Sequence, residues 1–473
     1  MKARTLLLGV AATFIIFGRL GRGVLANYDD CYYAQKAKEL WQGGDWLTPH
    51  FAGHVRLDNP PLFLWMIAAG FRLFGAGKLG AAFFSAVAGV ACVLMLVRVA
   101  RRIGFDDFEA WCAGAILLTT QYFLKYSQHA MMDVVLTLFF LIALDGYLSA
   151  AEGRLSGWVR LGVFTGLGVL MKSVLGLFPL IVVAAHRLAV RGRPALFERG
   201  PWIAAAAAAA VAVPWYAYQL SVHPGQLVTE HFQWLILSRG LGDPGGEGID
   251  SGPLGYLTRI GSVYWPWLPL AAYGLWLEAK RALDREGAPE RRSSSALLLL
   301  WLVIVVGVMS IGHVKKLWYV MSVFPCLALL SARGVAHLAR GAPARHRILN
   351  SAGVVLAILA AVIAFTPLGT ARPRQPGLYE MALVARARVP GGEKVFNLDA
   401  RYWDVAGVFL FYSDHDLTEP LGNPAQLREA LGGGRWALLR SDRVLEVVGS
   451  EAARFEVVAR SDDWALIRGG GRR

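Results

Sequence analysis

The chain has 473 residues, 55% of them hydrophobic and only 17% charged, and its mean hydropathy is +0.44. A soluble protein carries about 25% charged residues, so this balance excludes a soluble enzyme, a disordered chain and a disulfide scaffold; the main solvent of this chain is lipid. The net charge of +14 then points to cytoplasmic loops ahead of nucleic acid, and Cys31, Cys92, Cys112 and Cys326 have neither zinc-site nor redox spacing.

A helix needs roughly 20 apolar residues to cross ~30 Å of hydrocarbon. In chain order the candidates are 5–25, 80–99, 108–126, 131–150, 158–174, 175–189, 201–220, 255–278, 295–311, 317–337 and 348–367, eleven spans in all. The first, with Lys2 and Arg4 at its start, has the outline of a signal peptide, but the ten spans after it favour an uncleaved helix. The alanine run Ala204 to Ala210 in the seventh reads as close helix packing. Pro60 to Gly75 is apolar but has only 16 residues and contains Arg72. If it does not cross, and the N-terminus is cytoplasmic, seventeen Lys and Arg fall in inner loops against one, Arg239, in the outer loop 221–254. If it crosses, all seventeen face outward, against the tendency of cytoplasmic loops to hold the positive charge. Residues 26–79 are therefore expected to form one long extracytoplasmic loop, with the C-terminus on the same side.

That loop holds Asn27-Tyr28-Asp29-Asp30-Cys31-Tyr32-Tyr33-Ala34, then Gly44-Asp45-Trp46, Pro49, and Leu57-Asp58-Asn59-Pro60-Pro61-Leu62. After Asp30, Tyr33, Ala34, Ala37, Leu40 and Trp41 follow helical spacing while Lys36, Lys38 and Glu39 fall elsewhere on the wheel. This predicts an amphipathic helix lying on the membrane, with Asp29 and Asp30 at its start. Asp29 can act there as an N-cap, and a helix start also holds a carboxylate rigidly. Asp45 is expected to cap a turn, with Trp46 among the lipid headgroups.

More polar residues stand at outer helix ends. Asp133 opens the fourth span and Lys172 ends the fifth; His313, Lys315, Lys316 and Tyr319 join the ninth and tenth; Arg239 lies in the 221–254 loop. Each alone reads as a snorkelling side chain or a cap. Together they gather cations and carboxylates at one membrane face, where ionisable groups are costly and mark pathways or sites. The combination suits one chemistry: cations grip a lipid-linked phosphate and a carboxylate acts as base.

From about 372 to 473 the chain changes character. Val395 to Leu398, Val408 to Tyr412, Trp436 to Leu439 and Trp464 to Ile467 read as short strands, and Ala425 to Leu431 as a helix closed by Gly432 to Gly434. The expected domains are thus a transmembrane domain, 1–371, containing the loop 26–79, and a small extracytoplasmic α/β domain, 372–473, acting as a recognition or structural cap. The fold class is an all-α polytopic membrane protein of about eleven transmembrane helices, with amphipathic juxtamembrane helices in its first outer loop, plus that α/β domain.

The pattern Asp29-Asp30-x-x-Tyr33-Ala34, Gly44-Asp45-Trp46, Pro49 and Pro60-Pro61-Leu62, followed by Asp133, Met171-Lys172, Pro266-Trp267, His313-x-Lys315-x-x-x-Tyr319 and Pro325, resembles the membrane glycosyltransferases of the C superfamily. Within it the similarity is to the protein O-mannosyltransferase-like proteins and the lipid A aminoarabinose transferases, and it runs from about residue 20 to 335. The resemblance implies a multi-span helical fold of a bacterial-type inner membrane and a polyprenyl-phosphate sugar donor. It also implies inverting transfer at the outer face to a glycolipid, a lipid A-like acceptor or a protein. By position it makes Asp29 the catalytic base or acceptor-orienting carboxylate, with Asp30 beside it and Asp133 as the second acidic residue. Lys172, Arg239, Lys315 and Tyr319 would line the donor phosphate, and His313 and Lys316 are further site candidates. No cofactor is required by this chemistry; some relatives bind a divalent metal, which the carboxylates permit. Two departures stand out. The family has Asp-Glu in the first acidic pair, and it commonly has Lys or His where this chain has Asn59, preceded by Asp58, so Lys172 and Lys315 would carry more of the phosphate binding.

The competing reading is a multi-span transporter or flippase for a lipid-linked or anionic solute, which also needs buried charges. The sequence has no inverted hydropathy repeat and no paired Gly/Pro-broken helices to support it. An envelope assembly factor with a vestigial site is a third reading, in which Asp29 is dispensable.

Overall fold

The computed structural model describes residues 2–25, 28–238, 252, 254–366, 370–398, 402–449 and 454–470. Among them, six helical stretches are long and apolar enough to cross a membrane: Lys78–Arg102, Met132–Ala151, Leu155–Arg191, Arg193–Val222, Pro289–Ile311 and Ala342–Phe365. The protein is an integral membrane protein. Other apolar runs of the sequence are held by shorter elements. Residues 5–25 give Lys2–Phe17; residues 108–126 give Asp107–Thr119 and Gln121–Ser127, divided where Thr120 is extended; residues 255–278 are split between Gly255–Val263 and Leu268–Leu283. The expected pair 158–174 and 175–189 forms one 37-residue stretch, bent at Lys172 and Ser173. Residues 60–75 hold a helix of only 13 residues, Leu62–Phe74.

The described chain forms two compact units. The first comprises Met1–Gly21, Arg56–Met66 and Ala82–Gly369. Its helices pack through small residues: a Cβ on Gly162 would lie 2.2 Å from the Ala204 carbonyl oxygen, and one on Gly166 would lie 2.6 Å from that of Ala208. Only glycine allows helices Leu155–Lys172 and Arg199–Val222 to approach so closely, which gives the alanine run the packing role expected of it.

At one end of this unit, arginines that the sequence reading assigns to inner loops fold back on buried acids. Asp145 accepts from Arg98 Nε and Arg102 Nη1, both at 2.8 Å, and lies 3.1 Å from Arg160 Nη1. Glu278 accepts from Arg333 Nε at 2.6 Å and Arg281 Nη1 at 2.9 Å, and Arg333 also reaches Glu109. Asp133 begins the same helix that carries Asp145, twelve residues and about 18 Å of helix rise away. The arginine-rich end and the Asp133 end are therefore opposite ends of the Met132–Ala151 helix.

The second unit comprises Arg22–Val55, Ile67–Ala81 and Thr370–Arg473. A two-residue hairpin, β1 (His50–Phe51) and β2 (His54–Val55), precedes a five-stranded sheet. The sheet is built from β3 (Val395–Asn397), β4 (Leu417–Pro420), β5 (Trp436–Arg440), β6 (Phe455–Arg460) and β7 (Trp464–Gly469), in the order β4-β3-β5-β7-β6. β3 runs parallel to β4 and β5, while β7 is antiparallel to β5 and β6. The helix expected near 425–431 is Pro424–Ala430, capped by Asn423 Oδ1 on the Ala425 N–H at 2.8 Å.

Two sequence expectations are corrected here. Val408 to Tyr412 is not a strand but part of the helix Tyr402–Ser413. A short apolar run has the same appearance in a buried strand and a buried helix, and packing decides: Ala406, Phe409 and Leu410 are buried in one core with Tyr32, Phe51, Met381 and Trp464. The helix Tyr28–Gly43 forms where expected, but Lys36 and Lys38 do not make an exposed cationic face. Both are buried. Lys38 pairs with Asp414 and lies 5.6 Å from the Phe411 ring centroid, and Lys36 lies 5.2 Å from that of Tyr32. A Cβ on Gly407 would stand 3.2 Å from the Tyr32 nitrogen. The tail helix thus covers the face that the wheel assigns to water.

Candidate active site

A further group of buried polar residues in the first unit lies where the Leu155–Lys172 helix ends. Lys172 is the last residue of that helix and Asp133 lies in the first turn of Met132–Ala151. The charges at these two helix ends meet: Lys172 Nζ is 2.5 Å from Asp133 Oδ1. Both side chains are buried, with Asp133 only 1% exposed. Asp133 Oδ2 has no hydrogen-bond partner among the described residues. The ammonium also sits 4.8 Å from the Tyr319 ring centroid, a cation–π contact.

Asp133, Thr137, Tyr319 and Ser322 line a narrow pocket together with apolar residues, among them Leu136, Phe139, Phe140, Phe164, Phe178 and Trp318. One member of the charged pair, Asp133, therefore lines a pocket rich in aromatic rings.

The bend after Lys172 is tight. Ser173 has φ +51° and ψ −132°, a conformation ordinarily left to glycine, and a Cβ on Gly176 would lie 2.1 Å from the Gly168 carbonyl carbon. Ser173 Oγ is 2.9 Å from His231 Nε2, which Tyr216 OH also approaches at 3.1 Å. His231 Nδ1 is 3.0 Å from the Leu57 carbonyl oxygen. A carbonyl only accepts, so Nδ1 carries the proton and Nε2 accepts from the two hydroxyls. Burial pushes the His231 pKa below its ordinary value, against the smaller opposing pull of the Leu57 carbonyl and the Asp58 carboxylate. Beside it, Glu230 accepts from Arg56 Nη1 at 2.9 Å and from the Leu57 N–H at 2.8 Å.

The Arg56 to Asn59 strip is thereby fastened to the helix Leu227–Ser238. Asn59 Nδ2 donates to Asp58 Oδ2 at 2.9 Å, and both residues are buried. Further along, Lys315 is buried and its Nζ donates to the Gly312 carbonyl at 2.8 Å; Arg259 donates to the Lys315 carbonyl, and Tyr256 OH donates to that of Lys316 at 3.3 Å. His313 is exposed and Lys316 half-buried.

Of the sequence candidates, Asp133, Lys172 and Tyr319 are in direct contact. Asp58, Asn59, His313, Lys315 and Lys316 belong to the same unit, while Asp29 and Asp30 belong to the second. Asp29 and Asp30 are in the first turn of Tyr28–Gly43, Asp29 half-buried and Asp30 buried. Asp29 is the second residue of that helix, inside its first turn. Asp45 does cap its turn, Oδ1 accepting from the Thr48 N–H at 2.9 Å. Arg239 lies outside the described residues. Among the described residues no group of three or more His, Cys, Asp and Glu is placed to hold a metal ion. Sequence reading passed over Arg56, Ser173, Tyr216, Glu230, His231 and Arg259. The available signal was Glu230-His231 set inside the apolar run Leu227 to Leu237.

A family model described as dolichyl-phosphate-mannose-protein mannosyltransferase matches residues 58–218. The undecaprenyl phosphate-alpha-4-amino-4-deoxy-L-arabinose arabinosyl transferase of Pseudomonas savastanoi pv. phaseolicola is 28% identical over 344 residues, 70% of this chain and 60% of that protein. Its counterpart in Aeromonas salmonicida is 28% identical over 356 residues, 72% of this chain and 62% of that one. The chain thus spans about 60% of the length of these relatives. The crystal structure of ArnT from Cupriavidus metallidurans bound to undecaprenyl phosphate has the same fold, with a TM-score of 0.81 at 16% identity, covering 98% of this chain and 97% of that one. The chain is thus similar in sequence to these transferases over about 70% of its length, and it shares its fold with ArnT.

Proposed function

We propose that this relative of the aminoarabinose transferases moves a sugar, a 4-amino-4-deoxypentose by analogy with the matched enzymes, from a polyprenyl-phosphate donor to a glycolipid acceptor of the lipid A type. The observation that carries this reading is the buried Asp133–Lys172 pair, whose Asp133 lines the aromatic-rich pocket. An isoprenoid chain is apolar, as is most of the lining of this pocket. Its phosphate would then lie beside Lys172, with Lys315 as a further cation. Charge-assisted hydrogen bonds of this kind are strong in a dry site.

In the reaction the acceptor oxygen attacks the anomeric carbon, the bond from that carbon to the phosphate oxygen breaks, and the configuration inverts. Asp29 takes the acceptor's proton, and the polyprenyl phosphate leaves with its charge held by the lysines. Asp30, Asp58, Asn59, His313, Lys316 and Arg239 are, by the resemblance of their motifs, further candidates for this reaction. The transmembrane domain 1–371 has eleven spans in the cytoplasmic membrane, and the loop 26–79 and the domain 372–473 are extracytoplasmic.

Topology is tested by cysteines introduced at 65–75 and 400–460 in a background with the four native cysteines replaced. Both sets should react with an impermeant maleimide added outside whole cells; labelling of the tail only after the cytoplasm is opened overturns the orientation. The activity is tested with purified protein and undecaprenyl-phosphate-linked aminoarabinose, following mass gain on a lipid A acceptor. Lys172→Ala and Lys315→Ala should each weaken donor use about 10- to 150-fold, the equivalent of about 1.5–3 kcal/mol for a hydrogen bond to a charged group. Unchanged donor affinity in both variants would reduce these lysines to snorkelling side chains.

A further inference from the structure

We propose that Glu230 and His231 form a positioning clasp that holds the Lys172–Ser173 bend and the Arg56–Asn59 strip in one fixed arrangement. His231 would thereby set the place of the Lys172 ammonium without touching substrate. The inference rests on Lys172 being a donor-phosphate ligand.

The clasp is made of two adjacent side chains reaching two segments distant in sequence. Glu230 spends both carboxylate oxygens on the strip, one on the Arg56 guanidinium and one on the Leu57 N–H. His231 bridges the two segments. Its Nδ1–H donates to the Leu57 carbonyl, and its Nε2 accepts from Ser173 Oγ on the opposite side of the ring. The imidazole is fully buried, so neither bond has water as a substitute.

Ser173 directly follows Lys172, and its backbone is in a conformation that an L residue leaves unless neighbours hold it. The Ser173 hydroxyl to His231 is the side-chain bond that does so, from outside the bend. If it is lost, the bend has a reason to relax. Lys172, one residue away, then shifts from Asp133. The geometry also explains why a histidine stands here. Asparagine can supply a donor near the Nδ1 position, and glutamine can supply an acceptor near the Nε2 position. Imidazole offers both, rigidly, at once.

The test uses the purified full-length protein and undecaprenyl phosphate alone, without sugar or acceptor. Affinity is followed by tryptophan fluorescence and melting temperature is recorded in parallel. Lys172→Ala is the reference for a lost phosphate contact. His231→Asn and Ser173→Ala should each bind the lipid about 3- to 10-fold more weakly, the worth of one hydrogen bond. The double variant should bind no worse than the weaker single, because both changes remove the same contact. His231→Gln should keep most of the affinity. A purely structural role would lower the melting temperature and leave the affinity of the folded protein unchanged. Wild-type affinity in His231→Asn and Ser173→Ala, with Lys172→Ala weakened, overturns the clasp, as do effects that multiply in the double variant. Should Lys172→Ala bind like the wild type, the donor reading itself falls and the clasp falls with it.

Discussion

Replacing Asp133 by alanine is expected to destabilise the protein and abolish transfer, and a second substitution should separate the two effects. Asp133→Ala leaves the Lys172 ammonium buried with its counter-charge removed. Breaking a buried pair from one side costs about 3–5 kcal/mol, so the melting temperature in detergent should fall clearly. Asp133→Asn keeps an oxygen toward Lys172 Nζ and should cost less. Replacing both partners by apolar residues of similar size is often neutral or stabilising, because the desolvation penalty of both ions vanishes. Asp133→Leu combined with Lys172→Met should therefore melt near the wild type or above it while undecaprenyl-phosphate binding and sugar transfer stay lost. Recovery of transfer together with stability would make the pair a structural feature and move the site elsewhere.

Asp29→Asn should lower turnover by roughly 10²- to 10⁴-fold, the usual contribution of a general base, with expression and folding intact. An acceptor hydroxyl is a weak nucleophile at neutral pH and needs a carboxylate within hydrogen-bond reach. The departing phosphate, by contrast, is already a good leaving group and needs cations more than an acid. Asparagine keeps the shape of the side chain and its ability to accept from backbone N–H groups while losing charge and basicity. The helix that presents Asp29 is secured by other contacts: Lys38 to Asp414, the close approach at Gly407, and Glu39, which accepts from the Ala52 and Gly53 N–H groups at 2.8 and 3.1 Å. Single-turnover transfer at saturating donor reads the chemical step. Near-wild-type rates would reassign the base to Asp30, Asp58 or Asp133.

The polar residues of the site were legible one at a time and their relations were not. Asp133 and Lys172 are conspicuous because each ends an apolar run, which hydropathy detects locally. That they form an ion pair over 39 residues of chain depends on how two helices pack. His231 had no such contrast: one histidine in an apolar segment reads as a satisfied core residue, and its three partners come from residues 57, 173 and 216.

By itself the sequence determined what depends on composition and local periodicity. That covers a lipid-embedded helical body, arginines gathered at one end of its helices, a helix from the first acidic pair, and the central strands of the tail. β3, β5 and β7 are buried runs and were readable as such. β4 and β6 were missed because they are the two edges of the sheet; an edge strand is only partly covered, so it needs no apolar pattern and can carry residues such as Glu419, Glu456 and Arg460. Only the tertiary structure decided that Val408 to Tyr412 is helical, that Lys36 and Lys38 are buried, and that Lys172 stands on a strained bend held by His231. In each case the deciding contact comes from a segment far away in the chain, and no local pattern records which face a distant element will cover.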